Sequence, residues 1–439
     1  MEKTREQLTV KKELAVLVGA YQTAHQAARP DNLAELTALA ETAGAIVVSR
    51  FQQKLREVHP ATYIGRGKAE QLRDRVLEHD ADVVIFDNDL SPGQIRELEE
   101  IVEVKVIDRS ELILDIFATR AQTRQAKLQV ELAQLEYTYP RLTRMWGHLD
   151  TVVGAGGSTA AGAVGGIGTR GTGEKQLEID RRLVSRRITE LKRQLEEIDE
   201  RKLREIDGRK EYFKICLVGY TNAGKSTLMN ALTGAGVFVE DRLFATLDTR
   251  TRKWTLDGTA LPALLSDTVG FVSHLPHHLV ASFKATLEEA VNADLLLHVV
   301  DAANPEVFDQ IDSVDKVLAE IGCGEKDSLV VLNKCDAIRD IALFDSLQTI
   351  YPQASCVSAR TGLNLDLLIA AVQDRIRRKQ STIRVVCDIA DGKVQSFLHS
   401  SATILRREFT DDAVHIEASI GPAQLAQLRR YRPRRIEVI

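Results

Sequence analysis

The stretch KICLVGYTNAGKSTLMNALTG, residues 214–234, decides the fold of this chain. An apolar strand pattern leads into the spacing Gly-x-x-x-x-Gly-Lys-Ser, from Gly219 to Ser226, and a helical pattern follows it. Glycines let backbone N–H groups close around phosphates, Lys225 brings positive charge to the β- and γ-phosphates, and the Ser226 hydroxyl can bind Mg²⁺. The strand–loop–helix context therefore predicts the phosphate-binding loop of an α/β nucleotide-binding domain.

Three further short motifs follow in the order that a guanine nucleotide site requires. In DTVG (267–270), Asp267 can hold the Mg²⁺ shell through water and the Gly270 N–H can reach the γ-phosphate. In NKCD (333–336), Asp336 can accept two hydrogen bonds from N1 and the 2-amino group of guanine, a pattern that adenine lacks. Backbone groups of SAR (358–360) can cap the guanine O6. The motifs together predict GTP rather than ATP as the ligand.

The segment RLFATLDTRTRKW, residues 242–254, lies between the loop and Asp267, where a nucleotide switch is expected. We expect Thr246 to coordinate Mg²⁺ when the γ-phosphate is present. Thr249 and Thr251 are alternatives, and a threonine-rich edge strand explains any one of them equally well.

These motifs give a full set of expected contacts and make Mg²⁺ the expected metal, with Ser226 and Thr246 as its ligands. The expected phosphate-binding residues are Gly219, Tyr220, Thr221, Asn222, Ala223, Gly224, Lys225, Ser226, Thr227, Phe244, Ala245, Thr246, Leu247, Asp248, Asp267, Thr268, Val269 and Gly270. The expected guanine-binding residues are Asn333, Lys334, Cys335, Asp336, Ser358, Ala359 and Arg360.

Phe271 occupies the position after Gly270, where Ras-like switches carry a glutamine that orients the attacking water. A phenylalanine side chain cannot hydrogen-bond a water molecule. Either the chain does not hydrolyse nucleotide, or another group supplies the catalytic help.

The pattern outside the nucleotide motifs predicts three more regions. Alternating strands and helices between about residues 33 and 110, with strands at 43–49, 81–87 and 104–108, indicate a parallel sheet. Two helical stretches, 111–137 and 174–210, flank a glycine-rich loop and predict an antiparallel hairpin. The end of the chain has a strand–helix–strand–helix pattern. The predicted domains are an N-terminal α/β domain (1–110), the hairpin (111–210) with its loop (151–173), a P-loop GTPase domain (211–380) and a small C-terminal α+β domain (381–439).

Composition narrows the functional class. The formal net charge of −5 over 439 residues argues against a protein that coats nucleic acid by bulk electrostatics, so RNA contacts must come from local patches. The five cysteines are scattered without metal-site spacing, and no apolar run is long enough for a membrane span. We therefore expect a cytoplasmic protein with no membrane span, and we expect a monomer.

The motifs also resemble those of the HflX family of translation-associated GTPases. The resemblance covers GYTNAGKSTL and NKCD, and it extends upstream through VIFDNDLSPGQIRELE and GGIGTRGTGEKQLEIDRR. Two positions differ from the usual family pattern: Thr172 replaces a proline of the glycine loop, and Arg250 replaces a threonine of the switch. These differences put in doubt the stiffness of the loop and a metal-binding role for position 250.

The resemblance implies a GTPase that binds the large ribosomal subunit and its rRNA, and that splits or rescues stalled or idle ribosomes. It implies that the hairpin tip enters the large subunit and that the subunit stimulates hydrolysis, since Phe271 replaces the glutamine. Independently of the resemblance, the basic residues Arg170 and Lys175 near the tip could contact RNA phosphates. In related GTPases an asparagine at the Asn222 position holds K⁺, although Asn222 could instead cap the loop backbone. Two alternatives stay open: a GTP-dependent RNA- or protein-binding latch with little turnover, and an assembly or tRNA-modification GTPase.

Overall fold

The computed structural model describes residues 12–21, 33–145, 172–207, 212–234, 244, 249–256, 263–272, 288–410 and 412–439. The chain forms two compact units, the first mainly within residues 1–197 and the second mainly within residues 198–439. In the parts of the chain that are described, no helix is both long and apolar enough to cross a membrane.

The first unit is built on a four-stranded parallel sheet with the strand order β2-β1-β3-β4. Helices connect successive strands, as parallel pairing requires. The strands are β1 (Leu14–Tyr21), β2 (Ile46–Lys54), β3 (Val83–Phe86) and β4 (Lys105–Asp108), and the helices are α1 (Ala34–Ala43), α2 (Arg66–Glu78), α3 (Pro92–Val102) and α4 (Arg109–Arg120). The pair Ser91-Pro92 is a typical helix start in the sequence, and Ser91 does cap α3 with a capping box.

The sequence pattern missed β1, because the predicted alternation begins only at about residue 33. Strand β1 is buried along nearly its whole length and pairs with both β2 and β3, so it lies inside the sheet. The strand predicted at 43–49 is displaced, because β2 runs from Ile46 to Lys54 at the edge of the sheet. Only Phe51 of β2 is buried.

The single helix predicted at 111–137 is in fact two helices. After α4 ends, Ala121 adopts an extended conformation, and the Thr123 hydroxyl then accepts a hydrogen bond from Ala126 N at 3.2 Å to begin α5 (Arg124–Met145). Helix α6 (Thr172–Asp207) is close to the prediction at 174–210. Ion pairs Arg187–Glu131 and Lys192–Glu136 connect α6 with α5. On α6, Leu191 and Leu195 belong to the apolar positions that recur every three or four residues, and both are buried. Leu183 lies outside this set and is 56% exposed.

The second unit contains a six-stranded sheet with the order β10-β9-β8-β5-β7-β6, parallel except for the β6–β7 pair. Its core is formed by apolar side chains of the central strands and the flanking helices. The strands are β5 (Phe213–Val218), β6 (Arg250–Trp254), β7 (Ala263–Asp267), β8 (Leu295–Asp301), β9 (Ser328–Asn333) and β10 (Ser355–Cys356), and the helices are α7 (Lys225–Thr233), α8 (Val307–Glu320), α9 (Ile341–Ile350) and α10 (Leu365–Arg378).

The C-terminal residues form a βαββαβ arrangement with the order β12-β13-β11-β14, which is the ferredoxin-like topology. The stretch KVQSFLHSSATILRR (393–407) is the helix that the sequence pattern predicts between the two strands of this region. In the structure the helix ends at Ser401, and the chain continues as strand β12, which pairs with β13. The elements are β11 (Ser381–Asp388), α11 (Gly392–Ser401), β12 (Thr403–Phe409), β13 (Ala413–Ile420), α12 (Pro422–Arg430) and β14 (Arg435–Val438). The predicted fold class is confirmed, and the predicted domain boundaries stay predictions.

Candidate nucleotide-binding site

The predicted phosphate loop connects β5 with α7, and its two glycines are required by geometry. Gly219 has φ 148° and Gly224 has φ 92°, both in the region that side-chain-bearing residues rarely adopt. A Cβ atom at Gly219 would overlap the carbonyl oxygen of Val299, and one at Gly224 would overlap the side-chain amide of Asn333. The loop is thus tightly folded directly before the N-terminus of α7, the kind of position where anions bind.

Lys225 is the first residue of α7 and is almost fully buried. Its Nζ donates hydrogen bonds to the carbonyl oxygens of Gly219 at 2.9 Å and Tyr220 at 2.8 Å. Burial lowers the pKa of Lys225 to about 8, and the charge of Asp267 opposes this shift. The ammonium group therefore lies within the curve of the loop, poorly solvated, where a phosphate would stabilise it.

Ser226 and Asp267 meet beside the lysine, with the Ser226 hydroxyl donating to Asp267 Oδ2 at 2.6 Å. Asp267 is completely buried at the end of β7, and its Oδ1 has no hydrogen-bond partner among the described residues. Desolvation raises the pKa of Asp267, and the charge of Lys225 opposes this shift.

These two oxygens fit Mg²⁺, which prefers hard oxygen ligands and is usually held by one or two carboxylates together with substrate phosphates. Across the described ranges, no group of three or more histidine, cysteine or acidic side chains forms an all-protein metal cage. A hydroxyl and a carboxylate beside a phosphate loop are the kind of partial site that Mg²⁺ completes with a nucleotide.

The segment after Asp267 is hydrogen-bonded directly to the phosphate loop. Thr221 N donates to the Phe271 carbonyl oxygen at 2.7 Å, and Phe271 N donates to the Gly219 carbonyl oxygen at 3.1 Å. A Cβ atom at Gly270 would lie 2.7 Å from Thr221 Cα and 3.0 Å from Lys225 Nζ, so only glycine fits there. Phe271 itself is 3% exposed. Its main chain holds Gly270 against the loop, while its side chain is turned into the protein.

Asn333 connects the phosphate loop with the predicted base-binding segments. Its Nδ2 donates to the Ala223 carbonyl oxygen at 2.8 Å, and its Oδ1 accepts from Ala359 N at 2.9 Å. Asn333 is almost fully buried at the end of β9. The side-chain amide therefore acts as a fixed bridge between the phosphate loop and the segment after β10.

A cavity of about 270 Å³ lies between these segments. A hydrogen bond from Ser358 lowers the pKa of Asp336, which keeps this carboxylate ionised as an acceptor. Lys334 Nζ contacts Asp301 Oδ2 at 2.8 Å. The cavity brings together residues from both predicted groups: Asn222, Gly224, Thr227, Asn333, Lys334, Asp336, Ala337, Ser358, Ala359 and Arg360.

Asp301 was not expected from the sequence. It is the last residue of β8 and holds the Lys334 side chain in place. The available signal was an acidic residue closing a strongly apolar strand, LLLHVVD, whose carboxyl end lies at the same sheet edge as that of β9.

Several other expected contacts can be placed. Thr268 donates to the Leu217 carbonyl oxygen at 2.7 Å, and Val269 and Phe244 are buried. Cys335 N donates to the Val357 carbonyl oxygen, so its backbone joins the loop after β9 to the segment after β10. These residues are held in place by hydrogen bonds and packing within the protein.

The switch segment is only partly described. Thr251 lies in β6 and its hydroxyl is 2.9 Å from that of Ser266, so this alternative is engaged in the sheet. Arg250 pairs with Asp267 in the β6–β7 register, and its positive charge acts to lower the pKa of that carboxyl. Thr249 immediately precedes β6. The residues Ala245, Thr246, Leu247, Asp248 and Arg170 lie outside the described residues, as does the side chain of Lys175.

Known protein families match most of the length of this chain. Family models match residues 30–118 (GTP-binding GTPase N-terminal), 120–209 (GTP-binding GTPase Middle Region) and 214–334 (50S ribosome-binding GTPase). The GTPase HflX of Lacrimispora saccharolytica is 40% identical to this chain, with 95% of this chain and 96% of that protein covered. The chain belongs to the HflX GTPase family.

A second HflX GTPase, from Escherichia coli, is 41% identical, with 91% of each chain covered. Among solved structures, the complex of SsGBP with GDP is 26% identical and has a TM-score of 0.45 over 82% of this chain and 98% of that chain. Because this structural similarity is low, the assignment to the HflX family rests on the sequence relatives and the family models. The predicted family and the predicted GTPase activity are confirmed: this HflX protein is a GTPase.

Proposed function

We propose that this HflX protein binds the large ribosomal subunit and uses GTP to split or rescue stalled or idle ribosomes. The observation that carries the proposal is the burial of Phe271. A buried phenyl ring cannot orient the attacking water, so a partner would have to complete the site. The family model that matches residues 214–334 describes a 50S ribosome-binding GTPase, which supports a ribosomal partner. The latch alternative is tested below, and no observation favours a tRNA-modification role.

The phosphate end of the site would act mainly by positioning and charge. In our account, Lys225 moves its hydrogen bonds from the loop carbonyls to the β- and γ-phosphates, and Gly270 N–H binds the γ-phosphate. The close packing at Gly270 supports this arrangement, because a Cβ atom there would reach both Thr221 and the Lys225 ammonium group. Such pre-arranged donors stabilise charge that develops in the transition state.

Mg²⁺, when bound, would neutralise charge on the β- and γ-phosphates. Ser226 would be a direct ligand and Asp267 would act through water, a role supported by its unpaired buried oxygen. We retain Thr246 as the proposed switch ligand. Thr251 is the weaker alternative, because its hydroxyl is engaged with Ser266.

Guanine would be selected at the other end of the cavity. Asp336 would accept hydrogen bonds from N1 and the 2-amino group of guanine, while Ala359 and its neighbours would present backbone groups to O6. The Asn333 bridge supports this assignment, since it fixes the Ala359 backbone relative to the phosphate loop.

Phe271 would make intrinsic hydrolysis slow, so that the large subunit completes the site. Partners of slow GTPases accelerate turnover by roughly 10³- to 10⁵-fold. Asn222 has φ 60° within the loop and lines the cavity edge, and we propose that it holds K⁺ beside the phosphates. The bound K⁺ would add positive charge where arginine fingers act in other GTPases.

The sheet domain of the first unit and the helices α5 and α6 would make the RNA contacts. Arg170 and Lys175 would touch rRNA phosphates. The expected domains remain 1–110, 111–210, 211–380 and 381–439. We further propose a cytoplasmic monomer, the form in which a single chain would enter a ribosomal site.

The test is a sedimentation experiment with purified ribosomes. With a non-hydrolysable GTP analogue, the protein should move with the large subunit, and whole ribosomes should separate into subunits; with GDP, neither should occur. Binding without separation would favour the latch alternative. No binding in either nucleotide state would overturn the ribosomal assignment and leave the GTPase activity standing.

A further inference from the structure

Asp108 is the centre of a buried polar cluster in the first unit, far along the chain from the GTP motifs. It is the last residue of β4, has no exposed surface and caps α4 by accepting from Glu111 N at 2.9 Å. Its carboxylate also accepts from Tyr137 OH at 2.7 Å, Arg141 Nη2 at 2.8 Å and Leu90 N at 3.2 Å. Four donors from three segments thus converge on one carboxylate.

Tyr137 and Arg141 are one turn apart on the same face of α5, and both point to Asp108. The Arg141 guanidinium is stacked on the Tyr137 ring, with Cζ 3.4 Å from the ring centroid. Arg141 also donates to the Leu90 carbonyl oxygen at 3.2 Å. Because α5 ends at Met145, the cluster holds the last turns of this helix against the carboxyl end of β4.

The composition of the cluster argues for orientation rather than for stability. Buried ion pairs are often no more stabilising than apolar side chains of similar volume, because both charges lose their hydration. An apolar contact would hold α5 with little angular preference, whereas a planar guanidinium that is both stacked and hydrogen-bonded allows one geometry. Burial and the neighbouring Asp108 charge raise the pKa of Tyr137, so its hydroxyl stays protonated as a donor.

We propose that Asp108, Tyr137 and Arg141 are positioning residues that fix the direction in which α5 leaves the sheet of the first unit. Because ion pairs join α5 to α6, the cluster governs how the two helices are presented to the large subunit. This inference rests on the proposed function for its partner. The anchor itself is a property of the first unit and can be tested without ribosomes.

The first test is amide hydrogen exchange in Arg141→Lys, which keeps the charge and loses the planar fork. The full-length variant should show roughly tenfold faster exchange over residues 138–145, as expected when a local anchor is weakened. Arg187→Lys is the matched control, because it makes the same change in the exposed α5–α6 pair with Glu131. Equal protection in Arg141→Lys and wild type would overturn the inference.

The second test is the large-subunit concentration that gives half-maximal GTPase stimulation. We expect it to rise about tenfold in Arg141→Lys and about threefold in Tyr137→Phe, which keeps the stack and loses one hydrogen bond. GTP turnover without subunits should stay unchanged in both variants. A general loss of folding would lower it. An unchanged value in both variants, with normal wild-type stimulation, would contradict the inference. No stimulation of wild type would instead count against the proposed function.

Discussion

Two buried aspartates close strands in the two units, and they differ in how many hydrogen bonds they receive. Asp108 at the end of β4 accepts from four donors, whereas Asp267 at the end of β7 accepts from Ser226 and keeps one buried oxygen unpaired. Burying a carboxylate is costly unless it is paired. The difference indicates that a satisfied buried carboxylate organises the fold, while an unsatisfied one marks a place where a ligand binds.

The largest expected effect comes from exchanging each aspartate for its amide. Asp267→Asn should lower GTP turnover by about 10²- to 10³-fold, the usual effect of losing one pre-arranged electrostatic group. The melting temperature of the nucleotide-free protein should stay the same or rise, because a buried carboxylate oxygen without a hydrogen bond is removed.

Asp108→Asn is the matched variant, and it should lower stability while leaving GTP turnover unchanged. Losing the charge leaves the partly buried Arg141 beside a neutral amide, with the Glu111 carboxylate still 3.6 Å away. Breaking a buried ion pair costs up to about 3–5 kcal/mol in other proteins. The melting temperature should fall while intrinsic turnover per folded molecule stays unchanged. The comparison fails if both variants lose turnover to the same extent, as measured by phosphate release and thermal unfolding on the same samples.

A third carboxylate, the exposed Asp336, sharpens the comparison at the base end of the site. Asp336→Asn removes a charged acceptor for two guanine N–H groups and should weaken GTP binding by about a hundredfold. Xanthosine triphosphate, whose base carries an oxygen in place of the 2-amino group, should bind the variant better than wild type does. Calorimetric titration with both nucleotides checks this. Unchanged GTP affinity would exclude Asp336 from base recognition.

The pKa of about 8 at Lys225, the charge beside Asp267, predicts that GTP affinity depends on pH. The free protein loses the ammonium proton above about pH 8, while bound phosphates would keep it. GTP affinity should therefore fall by about tenfold per pH unit above pH 8. Lys225→Arg, which stays charged, is the control and should give a flat profile over this range. A flat profile in wild type would show that Lys225 is not the titrating phosphate ligand.

The smallest expected effect concerns the monovalent cation. Replacing Na⁺ by K⁺ should raise intrinsic turnover several-fold to tenfold, within the range of a single added charge near the phosphates. Asn222→Ala should remove this difference without abolishing binding. Equal rates in the two salts for wild type would exclude the K⁺ role and leave Asn222 as a loop cap.

The nucleotide site was largely predictable because its requirements are local. Gly219, Gly224 and Gly270 must be glycines where backbones approach closely, and Lys225 and Ser226 follow from the helix start, so their order in the sequence carries the geometry. Asp301 could not be assigned in this way, because its partner Lys334 comes from the neighbouring strand. The fold was predictable where strand and helix alternate.

Elements with an ambiguous local signal were missed. Strand β1 is the apolar run LAVLVGAY, but no helix pattern precedes it to indicate strand–helix alternation. The break between α4 and α5 is the short segment 121–123 inside a continuous helical pattern. Strand β12 follows α11 with hardly any loop, so its residues were assigned to the helix. The Asp108 cluster lies further beyond sequence analysis, because its members are 29 and 33 residues from Asp108 and meet only when α5 packs on β4.

The most direct measurement is GTP turnover with and without purified large ribosomal subunits, in potassium buffer. The account predicts a rise of about a hundredfold or more, because the partner completes a site in which Phe271 is buried. No rise, together with GTP-dependent binding, would indicate a latch. No rise and no binding would contradict the account.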